Sequence, residues 1–375
     1  MSETVTLFLC GDVMTGRGID QAMPHPSSPE LYESYVQDAR DYIALAERSG
    51  GAIERPLGFA DIWGDALDEL ARFDPEVRLI NLETSITRNA EPWPGKGIHY
   101  RMSPDNAECL KVAGINACCL ANNHVLDWQR EGLLETLDVL DRLSIPHAGA
   151  GGNARRAREP VSLGLPAGGR VRIWSVGLSD SGIPENWQAG DETPGVFMLP
   201  STSHEDTNPL IREITRQRRP GDLAVVSIHW GSNWGYDIPD GHRNLARQLI
   251  DAGADVIHGH SSHHPRGMEL YRDRPIFYGC GDFINDYEGI GGHGTYRPEL
   301  GLMIFCRMSR QTGRLEGLWL TPLRRKHLSL YRASDEERRW MRHTLNRERH
   351  PDMPAFQLAG ENRLELSPGT IPGNR

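Results

Sequence analysis

Lysine is nearly missing from this 375-residue chain: Lys96, Lys111 and Lys326 are its only lysines, and arginine supplies most of the positive charge. Acidic residues still outnumber basic ones, for a formal net charge of −10 at pH 7. A nucleic-acid surface needs concentrated positive charge, so this balance argues against that partner. It leaves an anionic substrate open, because bound divalent cations invert a local field. None of the six cysteines forms a CxxC pair. Cys10, Cys118, Cys119, Cys280 and Cys306 lie in or beside apolar runs, as free buried thiols of a reducing compartment do. No apolar run is long enough to span a bilayer, and no signal peptide precedes the first strand at about Val5. The expected location is the cytoplasm. Internal repeats and clean linkers are also lacking. A chain of this length buries a large core without cross-links.

Strand-like and helix-like segments alternate along most of the chain. Expected strands are Thr4–Cys10, Val77–Asn81, Ala117–Leu120, Val171–Val176, Leu223–His229 and Asp255–His258. Expected helices are Ile62–Arg72, Asp105–Ala113, Glu131–Leu143, Asn208–Arg218 and His242–Ala252, the last capped by Gly253. Pro275–Tyr278, Leu302–Arg307 and Leu315–Leu320 close the series as consecutive strands. The pattern predicts a layered α/β fold with a mixed sheet or two sheets. Residues 23–58 break the rhythm, with three prolines and then a helix expected over Leu31–Ala46; this insertion is a candidate lid or recognition element. Gly149–Gly169 reads as loop, Ser334–Arg349 as a helix, and Ala359–Arg375 as a mobile tail. The organisation expected is one catalytic domain over 1–330 with an appended helix and tail over 331–375.

Chemistry-bearing residues collect where apolar runs end. Asp12 closes the first strand, ahead of glycines and Arg17, whose guanidinium suits a phosphate or carboxylate. Asn81 and Glu83 fall on one side of the next strand end, and Glu83 has the reach to bridge two cations. In Asn122-Asn123-His124, the carboxamide suits a metal, and His124 suits proton donation with Asp127 orienting it. His229 ends a strongly β-forming run, followed by Trp230 and Trp234, which suit either core packing or a flat ligand face. His258, His260, His263 and His264 form the densest cluster. Spacing does not say which of them ligate, although His258 and His260 share a face in extended backbone. Asp282 and its neighbours can supply carboxylates to those imidazoles. Arg266 is a second candidate for a substrate anion.

Taken in order, Gly11-Asp12-Val13-Met14, Asn81-Leu82-Glu83-Thr84, Ala121-Asn122-Asn123-His124 with Asp127, His229-Trp230-Gly231, the histidine-rich segment and Gly281-Asp282-Phe283-Ile284 resemble the CapA family of poly-γ-glutamate capsule biosynthesis proteins, within the calcineurin-like metallophosphatase superfamily. The resemblance spans roughly Thr4 to Leu323. It implies a four-layer αββα sandwich and a dinuclear site of Mn, Fe or Zn. Asp12 would bind one metal, Glu83 would bridge, Asn123 and His229 would bind the second, and His258, His260 and His263 would complete the shells. His124 would be the proton donor. The superfamily's Asp-x-His is here Asp12-Val13-Met14, one imidazole fewer. The implied activity is hydrolysis of a phosphate ester or an amide or γ-glutamyl bond. The alternative is a non-hydrolytic component of polymer or peptide biosynthesis. Expected partners are a small-molecule, peptide or polymer substrate.

Overall fold

Period-two alternation in the first strand decides how the layers meet. In the computed structural model, which describes residues 3–166 and 168–366, this strand runs Thr4–Val13. Val5, Leu7 and Leu9 join one buried cluster, and Phe8 and Cys10 join another. The alternation slips after Leu9, where the register with Val77–Leu82 shifts between Leu9 and Asp12. Val13 therefore falls in with Phe8, and Asp12 is re-aimed toward the facing sheet, as an irregular strand end does.

That strand lies inside the larger of two main sheets. Its order is 356–359, 363–366, 315–326, 300–309, 4–13, 77–82, 117–119 and 147–148, with 282–284 also paired to the first strand. The second sheet runs 198–199, 170–178, 223–229, 256–260, 274–277 and 268–271, with 161–164 on the strand 170–178. Both sheets mix parallel and antiparallel pairs. Leu7, Leu79, Ile173, Val225 and Val256, from both sheets, share one buried cluster. The other face of the larger sheet packs Phe8, Ile80 and Leu82 against Leu70, Leu110, Leu133 and Leu140 of helices. The other face of the smaller sheet packs Trp174, Val226 and Ile228 against Leu210, Ile214, Leu245 and Leu249.

Local chemistry sets the helix ends. Asp240–Ala252 stops at Gly253, whose φ of 118° is left-handed backbone open to glycine at little strain. Asp335–Glu348 starts on a capping box: the Glu337 N–H donates to Ser334 Oγ, and the Ser334 N–H donates to Glu337.

Three expectations need correction. The helix expected over Leu31–Ala46 begins only at Arg40. The chain doubles back before it: Leu31 N–H donates to Gln37 O, Ala39 N–H donates to Pro29 O, and Asp38 accepts from Arg40 N–H. The loop expected over 149–169 contains the helix Ala154–Arg158, capped by Asn153, and the strand Val161–Gly164. The tail expected from Ala359 begins as half of a hairpin, Phe356–Ala359 with Arg363–Leu366, that extends the larger sheet. Phe356, Leu364 and Leu366 are buried between the sheets. Residues 367–375 lie outside the described residues.

Candidate metal centre

Strand register brings the carboxylates and imidazoles together. Asp12 sits opposite Asn81 on one side and Asp282 on the other. His229 sits opposite His260 in the facing sheet. Gly11 makes this convergence possible, because a Cβ there would lie 1.5 Å from the Gly281 carbonyl oxygen.

Around Asp12 the contacts are dense. Asn81 Nδ2 donates to Asp12 Oδ1 at 2.7 Å and to Glu83 Oε2 at 3.0 Å. The Ser261 N–H donates to Asp12 Oδ2 at 3.2 Å. His260 Nδ1 is 3.8 Å from Asp12, and His229 Nδ1 is 3.9 Å from Glu83. The two imidazoles approach each other at 2.8 Å between Nδ1 atoms. Asn123 Oδ1 is 3.2 Å from His229 Nε2. Potential ligand atoms of Asp12, His229 and His260 all lie within 4.8 Å of one another.

His124 faces this group from one side. Its Nε2 is 3.9 Å from Glu83, and its Nδ1 is 2.7 Å from Asp127 Oδ2. Tyr100 N–H holds the same carboxylate oxygen at 2.6 Å. Lys96 Nζ donates to the other oxygen and lies 2.9 Å from His124 Nδ1. Nothing in Pro92-Trp93-Pro94-Gly95-Lys96-Gly97 marks this lysine as more than a loop residue; the sequence reading missed it.

The remaining predicted residues divide sharply. His263 is in the group, with Nδ1 2.9 Å from Asp282 and Nε2 3.0 Å from the Asn233 amide. His258 shares a face with His260, and both touch Ser227, but its Nε2 is held 2.6 Å from the Cys10 carbonyl and its Nδ1 3.0 Å from Ser227. Both His258 ring nitrogens are therefore engaged by the protein. Arg17 is 2% exposed, and its guanidinium binds Asp286, Glu33 and Tyr42. Arg266 is buried and donates to Ser232 and to the Trp234 carbonyl. Trp230 packs in the core, stacked on His242 at 4.7 Å. Trp234 lines a cavity, stacked on His293 at 3.8 Å.

The protonation energetics match a donor set for cations. Burial, then the charge of Asp282, push the Asp12 carboxyl up to about 7. Burial and the charges of Asp12 and Asp282 push Glu83 well above the carboxylate range. Burial pulls His229 and His260 down and keeps their imidazoles neutral, the form in which histidine ligates. His124 falls to about 4, again through burial. For Asp127, burial is outweighed by His124 and Lys96, so it stays below the usual range. Two crowded acids forced toward neutrality beside neutral imidazoles are what a bound cation would relieve, so these residues fit a metal.

Comparison with known proteins agrees with the motif order. A model of the family described as bacterial capsule synthesis protein PGA_cap matches residues 6–287. A probable polyglutamine synthesis accessory protein of Mycobacterium tuberculosis is 44% identical over 346 residues, covering 92% of this chain and 91% of that protein. The PGA biosynthesis protein CapA of Bacillus subtilis is 28% identical over 288 residues, covering 76% of this chain and 64% of its own. The crystal structure of TT1561 of Thermus thermophilus aligns with 83% of this chain and 97% of its own, at 10% identity and a TM-score of 0.37, too low to argue from. The family match covers most of the chain and takes in the strand ends that carry Asp12, Glu83, Asn123, His229, His260 and Asp282; this chain belongs to the bacterial capsule synthesis protein family PGA_cap, the family of CapA.

Proposed function

We propose that this protein is a metal-dependent hydrolase of the metallophosphatase type, with two divalent cations of Mn, Fe or Zn held between the strand ends of its two sheets. The observation that carries this reading is the meeting of Asp12, Glu83, Asn123, His229 and His260 beside the His124–Asp127 pair. Asp12, His229 and His260 would hold one cation; Glu83, Asn123, Asp282 and His263 complete the donor set. His258 meets only the Cys10 carbonyl and Ser227, not a carboxylate of the group as His263 and His260 do, and drops out. When bound, the cations supply Lewis acidity toward water and toward a phosphoryl or carbonyl oxygen.

The chain's own groups do the rest. His124 presents Nε2 toward Glu83; neutral at rest, it takes up there the proton that the attacking water gives up and passes it to the leaving group. Asp127, held by Tyr100 N–H and Lys96, fixes the other ring nitrogen. Burial around the group excludes bulk water and strengthens each of these interactions. The sheets and their outer helices make up the αββα layering of such enzymes in this reading, with 1–330 as the catalytic unit and 331–375 as its C-terminal extension. The insertion at 23–58 is a recognition element. The six free, buried cysteines favour the cytoplasm.

The experiment is turnover of phosphomonoesters, phosphodiesters and γ-glutamyl peptides by protein loaded with Mn, Fe or Zn. Turnover of one class, reduced about 10²- to 10⁴-fold in His124→Ala with bound metal retained, supports hydrolysis. A second reading, a non-hydrolytic component of polymer synthesis, is favoured by the word accessory in the name of the 44%-identical relative. Tight polymer binding with no turnover of any class selects that reading.

A further inference from the structure

A cavity of about 430 Å³ opens against His263. Its walls come from stretches far apart in sequence: Tyr35 and Gly50 of the insertion, Trp234, the segment from Asn285 to Glu299, and Arg324 to Lys326. It meets the metal centre twice. His263, in its wall, holds Asp282 at 2.9 Å. Tyr287, also in its wall, shares a 2.6 Å hydrogen bond with Tyr100, whose ring stands edge-on to His124 at 4.5 Å. A molecule filling the cavity therefore has one end beside the proposed reacting groups.

The charges lining the cavity do not cancel. Arg17 is neutralised by Asp286 and Glu33. Arg324 is paired with Glu337 at 2.5 Å, and Glu299 with Arg297 at 2.8 Å. Arg325 is 7% exposed and, among the described residues, donates to the carbonyls of Asp282 and Pro298, with the charges of Asp282 and Glu299 near but out of ion-pair contact. Neither Arg325 nor the neighbouring Lys326 forms an ion pair with a carboxylate among the described residues. Burial raises the remaining acid, Glu288, toward its neutral form. A buried guanidinium without a carboxylate partner is costly unless an anion joins it. Two apolar side chains of the wall are uncovered: Tyr35 is 65% exposed and Ile290 45%. Exposed aromatic and aliphatic surface around a concave site marks a place where a ligand packs.

We propose that this cavity is a ligand subsite for an anionic group carried on a flat or apolar body, with Arg325 and Lys326 receiving the charge and Trp234, Tyr35 and Ile290 the body. Its ligand is a carboxylate or a phosphate, chemistries that a guanidinium and an ammonium serve alike. Naming that ligand as the substrate rests on the hydrolase reading; the binding itself does not. The subsite also takes over the anion contact expected of Arg17, which Asp286 and Glu33 enclose, and of Arg266, which is buried against Ser232 and the Trp234 carbonyl.

The test is calorimetric titration of phenyl phosphate and of N-acetylglutamate into wild-type protein, Lys326→Glu and Tyr35→Ala, with metal content measured on each sample. Lys326 and Tyr35 are surface positions, so both variants fold. Wild type binds one or both probes, and the tighter one tells phosphate from carboxylate. Lys326→Glu weakens binding about tenfold, Tyr35→Ala weakens it several-fold, metal content stays at the wild-type level, and the loss in Lys326→Glu shrinks at high salt. Wild-type affinity in both variants, or no binding by wild type, overturns the proposal. Failure here with normal metal content leaves the hydrolase reading standing, and intact binding in protein that takes up no metal removes that reading while keeping the subsite.

Discussion

Replacing Asp12 by asparagine should stabilise the metal-free protein at pH 8. Asp12 is fully buried, opposite Asp282 in the ladder, and its carboxyl is pushed from 3.8 up to about 7 by burial and by that neighbour. Between those two values the folded protein keeps a proton that the unfolded chain releases, so wild-type stability is lost as pH rises through the window. At about 1.36 kcal/mol per pH unit, the full penalty above pH 7 is on the order of 4 kcal/mol. Asparagine removes it. The Asn81 amide, 2.7 Å from Oδ1, still finds a carbonyl oxygen, but the Ser261 N–H, 3.2 Å from Oδ2, loses its acceptor, which costs about 1 kcal/mol. The net gain is about 3 kcal/mol at pH 8 and about 1 kcal/mol or less at pH 5. Removing the Asp12 charge also relieves Glu83, which that charge pushes up, so the measured gain contains both carboxyls and has the same sign for each. The assay is urea unfolding in chelator from pH 5 to 8. With manganese at about a thousand times Kd the order reverses, because only the wild type binds it and the bound ligand adds about 4.1 kcal/mol. A variant no more stable than wild type at pH 8 in chelator, or an advantage that shrinks as pH rises, refutes the reasoning.

Asn123→Ala and His229→Ala should each lower bound metal and turnover together, measured by metal analysis and initial rates on the same samples. Lys96→Met should leave bound metal unchanged but lower stability by about 3 kcal/mol, because it strips a buried partner from Asp127; an unmoved urea midpoint contradicts this. Ser334→Ala removes the capping box of Asp335–Glu348 and should cost about 1 kcal/mol in the same assay.

Much of this arrangement was legible in residue order, because strand ends declare themselves. The run Leu223–His229 was expected at its observed bounds, since continuous β-branched and aliphatic residues have one reading when a polar residue closes them. Gly253 marked its helix end for the same local reason. What stayed hidden depends on partners distant in sequence. Arg17 reads as an anion binder until Glu33 and Asp286 are seen to enclose it. Lys96 looks like loop charge until Asp127 meets it. His258 and His260 carry equal weight in a list of histidines; only the fold sets one against the Cys10 carbonyl and the other toward Asp12. The C-terminal hairpin alternates too few apolar residues to announce itself, and its strand pairing comes from the edge left open by Leu315–Lys326.

The central claim is that Asp12, Glu83, Asn123, His229 and His260 form a dinuclear metal site. Crystals of protein purified anaerobically and loaded with manganese, with anomalous diffraction recorded at the metal edge, test it most directly. The account predicts two peaks, about 3.5–4 Å apart, within ligand distance of Asp12, Glu83 and His229. One anomalous peak or none at these residues in metal-replete protein contradicts it.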